Sequence, residues 1–112
     1  MAIILEDIWN KSVGDVDIGS INMSDYLDAG ELCASVTVDE LTTNHLTIAN
    51  KAVSTAELII KGETVPIGEA IQFSYSGMQA STEYKLAIAV TTDSTPARVE
   101  NFCQRIWTAG AC

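Results

Sequence analysis

Residues 70–92, AIQFSYSGMQASTEYKLAIAVTT, constrain this chain more than any other stretch. Ile71, Phe73 and Tyr75 alternate with Gln72, Ser74 and Ser76. After a small polar loop, Tyr84, Leu86, Ile88 and Val90 alternate with Lys85, Ala87 and Ala89. A period of two places alternate side chains on opposite faces of a strand. Two such runs around a short Gly-containing loop predict an antiparallel β-hairpin with one buried face. The stretch carries no evident chemistry, so it speaks to fold before function.

The rest of the chain extends the pattern. Val16 and Ile18 alternate with Asp15 and Asp17 and predict a first strand running toward Met23. Residues 22–29 allow one helical turn, and Leu27-Asp28-Ala29-Gly30 reads as a turn. A clean alternating strand follows from Leu32 to Asp39, then a shorter one at Leu46 and Ile48, ended by Asn50-Lys51. The run Ala56 to Ile60 suits a central strand with both faces covered. Lys61-Gly62 turns the chain into Glu63–Ile67, where Pro66 lacks a ladder donor and predicts an edge strand. A last strand is expected from about Val99 to Trp107. Seven or eight short strands with polar turns read as an all-β, antiparallel β-sandwich.

Three parts are expected: an N-terminal arm over 1–14, a sandwich over 15–108 and a tail over 109–112. A length of 112 residues suits one domain. Apolar residues make up 47% and charged ones 19%, which favours folding over disorder. The N-terminus lacks a basic region, and Glu6 and Asp7 interrupt its apolar run. It therefore reads as neither a signal peptide nor a membrane span.

A net charge of −9 disfavours nucleic acid and acidic membrane surfaces as partners. The cysteines are Cys33, Cys103 and Cys112. Leu32, Ala34, Val36 and Val38 share one parity, which predicts that Cys33 faces away from the core. Phe102 and Ile106 do the same for Cys103. Free thiols are expected.

Catalytic and metal signals are weak. His45 is the single histidine and stands without a nearby Cys or paired carboxylate, so it reads as a surface residue. Asp15 and Asp17 share a strand face and could serve as acid and base or bind calcium, but a solvated strand face accounts for them. Nucleophile-elbow and phosphate-loop patterns are lacking. No cofactor and no catalytic residue is expected, and the chain reads as a non-enzyme.

The partner-binding candidates are Ile3, Ile4, Leu5, Ile8, Trp9 and Trp107. The apolar arm cannot fold alone, and fourteen extended residues reach about 45 Å. Each tryptophan could cover an open end of the sandwich or anchor a partner.

From about Val16 to Thr92 the chain resembles a family of small tailed-phage virion proteins with an immunoglobulin-like β-sandwich. The resemblance lies in Tyr26-Leu27-Asp28-Ala29-Gly30-Glu31-Leu32, in LTIANKAVSTAELIIKG, and in IQFSYSGMQASTEYKLAIAVTTDS. The Ser76-Gly77 loop, Tyr84 and the Thr91-Thr92-Asp93 close are its most suggestive pieces. Thr95-Pro96-Ala97 and the ending VENFCQRIWTAGAC depart from it. The resemblance implies a capsid cement or decoration protein in the virion, assembled in the bacterial cytoplasm. Its partners would be the major capsid protein and its own copies, as a homotrimer. A fibre–tail or head–tail adaptor, bound to other virion proteins, is the alternative from the same family. A carbohydrate-binding or adhesive module is a further one, with Tyr26, Trp9 and Trp107 as its aromatic candidates.

Overall fold

A computed structural model describes residues 3–41 and 43–109, apart from the side chains of residues 3, 4, 6 and 7. Among the described residues there are nine strands and no α-helix: β1 (Ile3–Ser12), β2 (Asp17–Asn22), β3 (Cys33–Glu40), β4 (Thr47–Val53), β5 (Leu58–Ile60), β6 (Glu63–Val65), β7 (Ala70–Ser76), β8 (Thr82–Thr92) and β9 (Val99–Ala109). A 3₁₀ turn at Ser24–Tyr26 occupies the segment that allowed a helical turn. One sheet has the order β1-β9-β8-β3 and the second β2-β7-β4, while β5 and β6 form a separate ribbon. The protein is an all-β sandwich of these sheets.

Both strands of 70–92 form, with the expected parity, but they do not pair with each other. β7 pairs with β2 and β4, and β8 pairs with β3 and β9. The segment Gly77–Ser81 therefore carries the chain from one sheet across to the other, so the hairpin reading is corrected to an arch. The apolar rows still face each other. Phe73, Tyr75, Ile71, Tyr84, Leu86, Ile88 and Val90 are at most 1% exposed and share one core. Burying each such side chain contributes about 1.5–3 kcal/mol, which explains why parity survives a change of partner.

The arch is held by its own residues. Met78 is buried at the crossing. The Tyr84 hydroxyl, near the start of β8, accepts a hydrogen bond from the Gln79 backbone N–H at 2.8 Å. Gly77 has φ +87, and a Cβ there would collide with the His45 carbonyl oxygen. Only glycine meets both demands without strain.

Within the segment expected as an arm, residues 3–12 are part of the first sheet. Ile3–Ser12 is β1, an edge strand running parallel to β9, with Trp9 opposite Ile106 and Asn10 opposite Trp107. The sandwich is thus not purely antiparallel. A register shift between Ile4 and Ile8 places extra β1 residues against β9, a bulge that bends the strand.

Four further expectations change. In β2 the inward row is Gly19 and Ile21, while Val16 and Ile18 are 78% and 65% exposed. In β3 a register shift between Cys33 and Ser35 sets two residues against one on β8. The bulge flips parity, so Cys33 joins Val38 in the core. Asn50-Lys51 does not end β4 but makes a second bulge, with Asn50 at φ 54, and the strand continues to Val53. Leu58–Ile60 is no central strand. It pairs only with β6, in a ribbon whose Ile59 is 75% exposed. The ribbon turns through Lys61-Gly62 as expected, and β6 is an edge strand that ends just before Pro66.

Candidate functional site

The six partner-binding candidates do not form one patch. Ile3 and Ile4 pair with Phe102 and Cys103 along β1, and their side chains lie outside the described ones. Leu5 and Trp9 turn inward and pack against the core. The Trp9 ring stacks on Tyr75 at 5.7 Å and lies 5.8 Å from Phe73. A Cβ at position 19 would come within 2.6 Å of that indole, so Gly19 is what lets Trp9 lie across β2. Trp9 is therefore a core side chain closing the β1–β2 side of the sandwich. Ile8 and Trp107, 40% and 41% exposed, point outward from the first sheet. Their register sets them diagonally across the β1–β9 ladder.

The polar candidates are held by structural contacts. Asp17 keeps a partly solvated side chain, 41% exposed, yet is not without a partner. It takes a hydrogen bond from the Lys11 ammonium at 2.5 Å, an ion pair joining β1 to β2. Hydrogen bonding from Lys11 lowers the Asp17 pKa, and the same bond raises that of Lys11. Asp15 accepts from the Ser12 backbone N–H and serves the turn between those strands. The exposed His45 places Nδ1 2.9 Å from the Tyr84 hydroxyl. Among the described residues no group of His, Cys, Asp and Glu is arranged to hold a metal ion.

The sequence reading missed one polar cluster altogether. Glu31 is 6% exposed and pairs with the Arg98 guanidinium. Arg98 also donates to Glu100 at 2.7 Å and to the Tyr26 carbonyl at 3.1 Å. Glu31 in turn accepts the Asp28 backbone N–H at 2.9 Å. The guanidinium holds the Glu31 carboxyl far below its ordinary range, and Glu31 raises the Arg98 pKa. The clamp ties the turn before β3 to the loop before β9. Sixty-seven residues separate the two partners, so no local pattern announced it.

The cysteines divide. Cys33 and Cys103 are free thiols. Burial pushes the Cys33 thiol up to about 11, which keeps it protonated and inert. Cys103 sits on the outer face of β9, opposite Ala87. Cys112 lies outside the described residues.

The outer face of the first sheet carries a concavity. A trough of about 370 Å³ is lined by Thr37, Asp39, Ala87, Ala89 and Asn101. It exists because two alanines on β8 sit between longer neighbours on β3 and β9. Of the aromatics proposed for a sugar site, Trp9 is packed inward and Tyr26 lies edge-on to Phe102 at 4.8 Å. Trp107 alone of the three projects into solvent.

No known protein family matches this chain, and neither does any curated protein.

Proposed function

We propose that this chain is a non-enzymatic structural subunit of a bacteriophage particle, a cement or decoration protein that binds the outer capsid shell. The observation that carries the reading is how the side chains are used. The polar candidates Asp17, Glu31, Arg98 and His45 are engaged in contacts within the fold. Large apolar side chains, Trp107, Ile59, Ile67 and Leu41 among them, stand in solvent at 41–75% exposure. Such a surface suits binding through the body of the molecule rather than through a reaction centre.

Two features support an immunoglobulin-like sandwich. The orders β9-β8-β3 and β2-β7-β4 correspond to the G-F-C and B-E-D sheets of that fold. Tyr84, at the corner between the corresponding E and F strands, bonds back to the Gln79 backbone as a tyrosine corner does. The net charge of −9 suits a position outside the shell, away from packaged nucleic acid.

The test is binding to purified empty capsids, with copy number measured against the major capsid protein. Saturable binding at a fixed ratio to capsomers supports the shell role. A copy number matching a single tail or portal ring supports the adaptor instead. Absence from particles, with no binding to empty shells, overturns both.

A further inference from the structure

The outer face of the first sheet is half hollow and half raised, and the two halves match. Its cross-strand rows follow from the register. Thr37, Ala89 and Asn101 form one row, and Asp39, Ala87 and Cys103 the next. Lys85 and Arg105 form the third, and Glu83 and Trp107 the fourth. The first two rows enclose the trough. The last two carry the exposed indole of Trp107 and a basic pair in a chain of net charge −9. Among the described residues, Lys85 and Asp39 make no side-chain hydrogen bond or ion pair.

The geometry points to a second copy of this chain as the occupant of this face, in a two-fold pair. Place the two-fold axis in the plane of the face, across the strands and midway between the second and third rows. Each copy's Lys85 then faces its partner's Ala87, beside the partner's Asp39. Each Trp107 faces the row of Ala89 and Asn101, over the trough. Every contact occurs twice, as an isologous interface requires. Sheets stacked this way lie about 10 Å apart, a gap that side chains from the two faces fill. Four strands give a footprint of roughly 500 Å² per copy at about 4.8 Å per strand and 3.3 Å per residue. That area predicts a weak, concentration-dependent pair. The pair replaces the trimer implied by the virion resemblance, and it stands or falls independently of the capsid role.

Sedimentation equilibrium in reducing buffer, over a dilution series up to near-millimolar protein, tests it. The wild type is expected to pass from one chain to two. Trp107→Ala and Ala89→Phe each weaken the pair roughly ten-fold, as loss of an anchor or of its pocket does. Lys85→Asp and Asp39→Lys each weaken it singly, and the double exchange restores it because the charges swap places. Circular dichroism and melting of each variant establish that it is folded. A single chain throughout the series overturns the proposal. So does an oligomer whose mass these substitutions leave unchanged, or a double exchange that adds the two single losses.

Discussion

β7 and β8 share one sequence pattern and present opposite outer faces. Behind β7 the outer row is Gln72, Ser74 and Ser76, small and uncharged. Gln72 and Ser74 are tied up internally, with Gln72 donating to Ser20 at 3.0 Å, Asn50 to Ser74 at 3.2 Å and Ser74 to the Ala49 carbonyl at 3.2 Å. Behind β8 the outer row is Glu83, Lys85, Ala87 and Ala89, set between Asp39 and Trp107. The β7 row has few polar contacts still to make, and beside it Ile18 of β2, opposite Ser74, is the exposed apolar side chain of this face. A face with an exposed indole, an unpaired cation and an open trough has contacts still to make. The inward rows do not differ in this way, because both face the same core.

The largest effects should therefore fall inside and be equal in kind on both strands. Phe73→Ala on β7 and Leu86→Ala on β8 should each cost about 3–5 kcal/mol, measured by urea unfolding. A small effect at either would separate that strand from the shared core. Next comes the close approach beneath Trp9. Gly19→Val should cost about 2 kcal/mol through overpacking, with partial recovery when combined with Trp9→Leu. Additive losses in the double variant would mean that the two residues do not touch.

Glu31→Gln should lower the melting temperature at neutral pH and alter its pH dependence. The folded carboxyl lies below its ordinary value of 4.5. Its stabilising effect is thus complete above that value and fades as pH falls from there toward the lower folded pKa. The wild type should lose more stability than the variant between neutral pH and acid, so the gap between their melting temperatures narrows below about pH 4.5. A constant gap across that window would contradict the Arg98 clamp. The smallest effects on folding belong to the outer faces. Ser74→Ala and Trp107→Ala should each change stability by less than about 1 kcal/mol, and only the second should weaken self-association.

The alternation revealed which residues face the core in β7, β8 and β9, because burial acts on faces. It could not reveal strand partners. A hairpin and an arch turn the same row inward, and only the sheet-to-sheet crossing at Gly77–Ser81 distinguishes them. Parity failed where a bulge intervened, at Cys33, and where a side chain from another strand claimed the space, at Gly19 under Trp9. Leu58-Ile59-Ile60 failed because a short apolar run says nothing about how many strands flank it. Trp9 and Trp107 looked alike in sequence. Their places on the β1–β9 ladder sent one inward and one outward. The trough was illegible because it depends on β3, β8 and β9 lying side by side, which no local pattern fixes.

In the proposed pair the first sheet's outer face, and not the second's, meets another copy of the chain. Two-dimensional NMR spectra recorded across a dilution series test it most directly. Concentration-dependent shifts are expected at the Trp107 indole N–H and at the amides of Ala87, Ala89 and Asn101, with Gln72, Ser74 and Ser76 unmoved. Shifts confined to the β7 face, or a spectrum that does not change with concentration, would contradict it.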